Sequence, residues 1–303
     1  MKDFAGKTAF ITGGASGIGF ALSEACCKEG MNVVIADIRR DALDEAMQKF
    51  SENDWPVHAI ALDITDREAY VKAADEAEAK FGNIHLLMNN AGIACARGPL
   101  WEVSYVNTDL AMNINLTAVL TGIQVIVPRM LKHGEGGHIV STASKAALIA
   151  VPNVGLYNFT KQALISITES LATDLQGTNV GASVFCPGPF LTGFGKTSGL
   201  VETIFLGKPS EGMPPRAGVD MKALEKLERS ADEAAQRVLN GVRRGDLYIF
   251  THAEFKDGFE ARTNAMLRAF PDDVQSEEFK KGFSFLVTNP VFDMQTQVPK
   301  YEG

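Results

Sequence analysis

The sequence predicts an α/β fold, a doubly wound parallel sheet carrying a long loop and a C-terminal helical extension. Two observations predict it. From Lys7 to Cys186, short β-branched runs alternate with longer amphipathic stretches. The short runs are apolar throughout rather than every second residue, as strands buried on both faces require. Repeated strand–helix units imply parallel strands joined by right-handed crossovers, with the ligand at the carboxyl ends of the strands.

In chain order, strands are predicted at Thr8–Thr12, Asn32–Asp37, Val57–Leu62, Ile84–Asn89, His138–Thr142 and Val180–Cys186. Amphipathic helices lie between them, as at Asp41–Phe50 and Asp66–Phe81. Beyond Cys186 the rhythm breaks. Pro187–Asp220 is rich in glycine, proline and serine, with scattered phenylalanine and methionine, and reads as a long excursion at the edge of the site. Loops of that length are usually functional or disordered. Helical patterns return at Met221–Glu228 and Ala231–Arg243, a strand at Asp246–Thr251, and a helix at Glu254–Phe270. No repeat or linker divides the chain. The expected organisation is one domain over 1–303, with its core at 5–192, the loop at about 187–220 and the extension at about 253–303.

Composition narrows the function classes. The chain has 303 residues, 46% hydrophobic and 22% charged, with 37 acidic against 29 basic side chains and a net charge of −8. An acidic chain without basic clusters is a poor partner for nucleic acid or an anionic membrane. No apolar run is expected to cross a bilayer. The N-terminus leads into a strand without a secretory signal pattern, so a cytoplasmic location is expected and the two Asn-x-Thr sequons, at Asn115 and Asn158, carry no meaning. Cys26, Cys27, Cys95 and Cys186 show no metal-ligand spacing and read as reduced, buried thiols. The histidines show no ligand-like neighbours, and no metal is expected.

Thr12-Gly13-Gly14-Ala15-Ser16-Gly17-Ile18-Gly19 joins the first strand to the first helix. Glycines at such a turn let backbone approach a pyrophosphate, and the helix N-terminus offers it free N–H groups and partial positive charge. The context between strand and helix makes this a dinucleotide site of the Rossmann type rather than an idle turn. Asp37 ends the second strand, where a carboxylate accepts from a ribose 2′-hydroxyl and repels a 2′-phosphate. That favours NAD(H) over NADP. Arg39 and Arg40 follow and can pair with phosphate, but they read better as an exposed first turn of the next helix.

Tyr157 and Lys161 stand four apart and share a helix face. A phenol with a pKa near 10 is a weak base at neutral pH, and a nearby cation favours its phenolate. Ser144 lies just past the fifth strand, where its hydroxyl can reach a substrate oxygen. Asn115 lies inside the preceding long helix, and Asn89-Asn90-Ala91-Gly92 ends the fourth strand.

This set resembles the short-chain dehydrogenase/reductase family over roughly residues 5–192. The resemblance implies that Gly13, Ser16, Gly17, Ile18 and Gly19 form the cofactor turn. Asp37 would lie at the ribose, Asp63 and Ile64 beside the adenine, and Asn90 near the cofactor. It further implies a catalytic tetrad of Asn115, Ser144, Tyr157 and Lys161, and a Pro187-Gly188 to Thr192 motif against the nicotinamide. In that chemistry Ser144 and Tyr157 bind the substrate oxygen and the Tyr157 phenolate takes the hydroxyl proton. Lys161 lowers the Tyr157 pKa and holds the nicotinamide ribose, and Asn115 fixes a water that relays the proton. Within the family, Gly245–His252 and the tail resemble dehydrogenases that oxidise the benzylic secondary alcohol of lignin-derived aryl ethers.

There are departures from the family pattern. Ala118 replaces a common glycine. Lys145, after Ser144, stands where a small or apolar residue is usual; it either meets an acidic substrate or points to water. The usual Asp-Gly-Gly ending after the last strand is missing, which puts the common tetramer in doubt, although a homodimer or homotetramer is still expected. Phe190, Phe194, Phe205 and Met213 either wall an apolar substrate pocket or only pack the loop onto the body. The expected function is hydride transfer between a bulky, aromatic secondary alcohol, or its ketone, and NAD(H). The competing readings are an NADP-dependent carbonyl or hydroxysteroid reductase, and a dinucleotide-binding regulatory protein without turnover.

Overall fold

The computed structural model describes residues 1–190, 192–207, 229–273 and 276–299. Among them, β1 (Thr8–Thr12), β2 (Asn32–Asp37), β3 (Val57–Ala61), β4 (Ile84–Asn89), β5 (Gly137–Thr142), β6 (Val180–Cys186) and β7 (Tyr248–Phe250) form one sheet. Its order is β3-β2-β1-β4-β5-β6-β7, and every neighbouring pair is parallel. The order reverses direction between β1 and β4, and a crevice opens at such a point beyond the carboxyl ends of the strands.

Both faces of the sheet are covered, which is why the strands lack alternation. Ala9, Ile11, Val33, Ile35, Leu86 and Met88 face one layer, built from α1 (Gly17–Lys28), α2 (Arg40–Ser51) and a later helix, Ala231–Arg244. Phe10, Val34, Ala36, Leu87 and Ile139 face the other, built from α3 (Arg67–Phe81) and the long helical stretch that begins with α4 (Tyr105–Met112). Local signals set the helix starts. The Asp66 carboxylate accepts from the Ala69 N–H at 3.0 Å, and the Ser104 hydroxyl from the Asn107 N–H at 3.3 Å, each satisfying one otherwise unpaired donor.

The stretch after α4 passes through a π-helical turn at Asn113–Thr117 before continuing as α5 (Ala118–His133). Tyr105–His133 is long and apolar enough to cross a membrane by length and composition, contrary to the expectation from the sequence, yet 56% of its most apolar window is buried within the protein. Its apolarity has a local cause: Ile126, Val127 and Met130 pack on the sheet.

α6 (Gly155–Asp174) follows β5. The excursion after β6 is not loop throughout, for α7 (Phe194–Leu206) runs between glycine caps Gly193 and Gly207, both in the left-handed region. The Ser198 hydroxyl accepts from the Ala94 N–H at 3.0 Å, and Val201, Phe205 and Leu206 pack against Ile93, Leu110, Ile114 and Leu156. Glycine and proline at both ends masked this helix in the sequence. The expected Met221–Glu228 helix and Met213 lie outside the described residues. Beyond them come α8 (Ala231–Arg244), α9 (Lys256–Leu267), α10 (Glu277–Gly282), α11 (Ser284–Val287) and α12 (Pro290–Gln297). The expected Glu254–Phe270 helix is therefore a 3₁₀ turn at Ala253–Phe255 continued by α9, and the tail is helical.

Candidate active site

A cleft of about 930 Å³ lies along the carboxyl edge of the sheet, lined at one end by the β1–α1 turn and at the other by Ser144, Tyr157 and α7. The turn is shaped by its glycines. Gly13 and Gly17 have φ of +63° and +54°, a region open chiefly to glycine. A Cβ on Gly17 would stand 3.2 Å from the Thr192 Cβ. Ser16 stands at the N-cap of α1 without a side-chain capping bond, and the first turn of α1 carries no acidic residue. Helix dipole and unpaired N–H groups therefore open onto the cleft without a built-in anion. This cradle fits the diphosphate of a dinucleotide, and a side chain at its glycines would fill it.

β1 and β4 are clasped at their ends by Thr12, whose hydroxyl accepts from the N–H groups of Asn90 and Ala91 at 3.0 and 3.1 Å. The Asn90 amide donates to the Thr12 carbonyl at 3.1 Å. Asp37, Asp63, Ile64, Asn90, Pro187, Gly188 and Thr192 all line the cleft. Asp63 accepts from the Thr65 N–H and hydroxyl at 2.8 and 2.7 Å. Burial pushes the Asp37 carboxyl up, against the lowering effect of the Arg39 N–H and guanidinium. Arg39 departs from the expectation of an exposed turn. Its Nη2 donates to Ser16 Oγ at 3.0 Å, its Nε stands 3.8 Å from Asp37, and it lines the cleft, whereas Arg40 is exposed.

At the other end, the residues expected as a tetrad come together. The π-helical turn places Asn115 fully inside, where Oδ1 accepts from the Ile93 N–H at 2.8 Å and Nδ2 donates to the Ile93 carbonyl at 2.9 Å. Its amide also donates to Cys95 Sγ and Thr160 Oγ1, both at 3.3 Å. Lys161 Nζ donates to the Thr142 carbonyl at 2.8 Å and lies 5.8 Å from the Tyr157 ring centroid. A Cβ on Gly92 would stand 3.1 Å from Asn115 Oδ1 and 3.2 Å from Lys161 Nζ, so only glycine leaves those groups their space. Ser144 caps a 3₁₀ turn, accepting from the Ala146 N–H at 3.1 Å.

Electrostatics oppose ionisation here. Burial drives the Tyr157 phenol up to about 12, and the Ser144 hydroxyl bonded to it pulls the other way. Burial also drives the Lys161 ammonium down to about 8. Of the expected apolar wall, Phe194 stands with its ring 6.3 Å from that of Tyr157, and Phe205 joins the cluster around Ile114. Phe190 does both things weighed for it: it lines the cleft, yet it is buried against the core and meets His252 edge-on at 5.3 Å. Arg97 was not legible as a cleft residue, since it belongs to no local motif, whereas Arg39 was weighed as a phosphate partner and read as exposed.

Contrary to the expectation from the sequence, the histidines are not all without ligand-like neighbours. His85, His133 and Glu135 gather with ligand atoms within 4.8 Å of one another. Hydrogen bonds nevertheless occupy both rings. His85 Nδ1 accepts from the Thr8 N–H at 3.2 Å and its Nε2 faces Glu135 at 2.9 Å, while His133 Nδ1 accepts from the Glu135 N–H at 3.1 Å and its Nε2 faces the Ile84 carbonyl at 3.1 Å. Each Nδ1 is thus an acceptor and each Nε2 a donor, which leaves no lone pair for a metal. His138 is a core histidine, driven down to about 3 by burial.

A glycine-cradled crevice at the switch point of a parallel sheet, with a buried Ser-Tyr-Lys group at its far end, defines a dinucleotide-dependent oxidoreductase. The short chain dehydrogenase family model matches residues 7–201, and the chain belongs to that family. It is 32% identical over 277 residues to C alpha-dehydrogenase of Sphingobium sp., covering 88% of this chain and 87% of that protein. It is 36% identical over 249 residues to 1-deoxy-11-beta-hydroxypentalenate dehydrogenase of Streptomyces avermitilis, covering 82% and 85%. Among solved structures, a short chain dehydrogenase/reductase from Burkholderia phymatum in complex with NAD superposes with a TM-score of 0.80 at 33% identity, covering 91% of this chain and 100% of that one. The chain is therefore an oxidoreductase of the alcohol dehydrogenase type that uses a nicotinamide dinucleotide, moving hydride between an alcohol and a ketone.

Proposed function

We propose that this protein is an NAD-dependent dehydrogenase of a bulky, aromatic secondary alcohol, able to run as the ketone reductase. The observation that carries the reading is the meeting of Ser144, Tyr157 and Lys161 in a cleft that Val151, Val154, Phe194 and Phe205 also line. Gly13, Ser16, Gly17, Ile18 and Gly19 would hold the diphosphate, and Asp37 the adenosine ribose. Asp63 and Ile64 would flank the adenine; Asn90, Pro187, Gly188 and Thr192 would flank the nicotinamide half. The bound dinucleotide supplies the hydride acceptor. Ser144 and Tyr157 hydrogen-bond the carbinol oxygen, and Tyr157 removes its proton as general base. Lys161 stabilises the phenolate and would hold the nicotinamide ribose of a bound dinucleotide. Asn115, pinned to Ile93, orients a water that carries the proton outward. Val151, Val154, Phe194 and Phe205 exclude water from the reacting carbon and fit an aromatic body.

NAD is preferred because a 2′-phosphate would meet Asp37. The dinucleotide held by the Burkholderia structure supports this reading. We also read the chain as one domain that assembles with copies of itself and resides in a reducing compartment. Its described cysteines are all free and buried, and burial raises their thiols.

Tyr157→Phe tests the assignment. Its turnover of aromatic secondary alcohols should fall by about a thousandfold, within the range for loss of a general base, while NADH affinity by fluorescence titration stays within about twofold. Activity retained above a few per cent of wild type, roughly, would place the base elsewhere.

A further inference from the structure

The turn that leaves β6 is Pro187-Gly188-Pro189-Phe190, and all four residues line the cleft. Proline has no N–H, so Gly188 carries the one peptide donor of the Pro-Gly-Pro run. That donor is spent outside the turn, on Thr251 Oγ1 at 3.0 Å, just past the end of β7. The carbonyls on either side are taken by other distant segments. Pro187 accepts from the Lys145 N–H at 2.9 Å and Pro189 from the Arg229 N–H at 3.4 Å. Three segments far apart in the chain thus hold one short turn, and the Thr251 contact is the one made by a side chain.

Thr251 is buried, and its hydroxyl meets His252 Nδ1 at 2.6 Å. The Gly188 N–H fills one lone pair of that hydroxyl, and the hydroxyl proton goes to the imidazole. Donors chained in this way strengthen one another. Burial lowers the His252 pKa, with Arg229 and Lys145 acting the same way and Glu254 and Glu233 against them. The ring is therefore neutral at neutral pH, and Nδ1 serves as the acceptor. The same ring covers Gly188. A Cβ there would stand 2.6 Å from His252 Cε1, so only glycine lets the imidazole lie on the turn. Phe190 meets the imidazole edge-on at 5.3 Å, and Phe255 lies 5.5 Å from it. The Lys145 ammonium stands 4.6 Å from the Phe255 centroid, a cation–π contact that closes the brace back onto the segment after β5.

We propose that Thr251 and His252 are positioning residues that fix the Pro187-Gly188 turn, and through it the plane of the nicotinamide ring relative to Ser144 and Tyr157. This rests on the dehydrogenase reading above, in which the turn flanks the nicotinamide half. Neither Thr251 nor His252 lines the cleft, so they act through Gly188 and not by touching the reactants. The Lys145 N–H joins the turn to the residue after Ser144, and the Thr251 hydroxyl braces it from β7. Together these contacts set the spacing between the ring that exchanges hydride and the hydroxyl that binds the alcohol oxygen. A misplacement of about 1 Å in such a geometry costs about a hundredfold in rate.

The test compares NADH with ADP-ribose, which has the same adenine, diphosphate and riboses but no nicotinamide, by calorimetric titration. Thr251→Val removes the hydroxyl at nearly constant shape and leaves the Gly188 N–H unpaired. His252→Leu removes the acceptor and the ring. Each should weaken NADH by about tenfold, while ADP-ribose stays within about twofold and so reports an intact fold. At saturating NAD, kcat for an aromatic secondary alcohol should fall by about tenfold or more, with KM for the alcohol within about twofold. Thr251→Ser, which keeps the hydroxyl, and His252→Asn, whose amide oxygen replaces Nδ1, should retain most of both. Parallel loss of NADH and ADP-ribose affinity overturns the proposal while leaving the dehydrogenase reading intact. So do unchanged NADH affinity and kcat in Thr251→Val and His252→Leu, or a Thr251→Ser variant as impaired as Thr251→Val. A wild type that binds neither NADH, NADPH nor ADP-ribose overturns both.

Discussion

Tyr157 and Lys161 are each pushed by burial toward the uncharged form, and the reaction needs the opposite of both. A phenolate and an ammonium in one dry site stabilise each other more than either does alone, so the pair is poised to ionise together when an alcohol oxygen is there to receive the hydrogen bonds. Oxidation should therefore quicken as pH rises and the reverse reduction as it falls. The Lys161 shift also has a stability consequence. Its folded pKa lies at about 8, below the ordinary lysine value of 10.5, so from about pH 8 upward the unfolded chain holds the proton more tightly and stability rises with pH. Tyr157, held at about 12 against 10.0, acts with the opposite sign only above its unfolded value. Between about pH 7 and about pH 9.5, wild type should gain at most about 2 kcal/mol relative to Lys161→Met, read by denaturant titration of the ligand-free protein. A constant difference would mean that Lys161 holds its proton as firmly in the folded protein as in the unfolded chain. At the other end of the cleft, Asp37→Ala should relax the preference for NAD by about tenfold or more and raise NADP affinity, because Arg39 already lies between Asp37 and Ser16. Competition binding with both dinucleotides checks this, and wild-type protein that binds NADP the more tightly would refute the assignment of Asp37.

The elements differ in how openly the sequence displays them. β1 to β6 were legible because a strand covered on both faces must be apolar at every position, and runs such as Asn32–Asp37 have few other uses. The glycine turn was legible because positive φ and close approach demand a residue type at fixed spacing. The Tyr157–Lys161 pair was legible because helix geometry fixes four-residue neighbours. The π-helical turn at Asn113–Thr117 was not, since an extra residue in a helical turn leaves no mark on hydrophobic periodicity. α7 hid behind its caps, and its orientation depends on Ser198 reaching Ala94, a contact about a hundred residues distant that periodicity does not report. Arg97 was invisible as a cleft residue for the same reason, while Arg39, weighed beside Asp37 as a phosphate partner, reads as exposed until the fold turns it toward Ser16. Ser198 gives an element-scale prediction. Ser198→Ala leaves the Ala94 N–H buried and unpaired, costing about 1–3 kcal/mol. Because α7 carries Phe194 and Phe205, the loosening should raise KM for the alcohol more than it lowers kcat. Hydrogen exchange at Ala94 and along α7 should quicken in the variant; unchanged exchange would show α7 to be held by its apolar contacts alone.

For the molecule as a whole, the surface poses a problem that the fold does not solve internally. Leu100, Trp101, Tyr105 and Val106 are 60%, 85%, 89% and 60% exposed, on one short stretch at the start of α4. Leu100 packs against the start of α6, where a Cβ on Gly155 would stand 2.7 Å from Leu100 Cγ, and Phe159, one turn further along α6, is 52% exposed. Apolar surface gathered in this way marks a contact between proteins more often than a surface left in water. The body carries a net charge of −8, so copies repel over most of their surface and must meet where apolar burial outweighs repulsion. The stretch at Leu100–Val106, with Glu102 as its one charge among exposed apolar residues, meets that condition, and a twofold arrangement would bury its apolar side chains against themselves. A second apolar region, with Phe279, Phe283 and Leu286 exposed on the C-terminal helices, is flanked by Glu277, Glu278, Lys280 and Lys281 and offers a less continuous face. Sedimentation equilibrium should therefore find wild-type protein as a dimer or larger assembly. Tyr105→Glu, which places a charge at the centre of the first stretch, should shift it toward monomer with an unchanged circular dichroism spectrum, and Leu286→Glu should leave the assembly as it is. A wild-type monomer, or an assembly broken by Leu286→Glu but not by Tyr105→Glu, would move the interface away from α4 and onto the C-terminal extension.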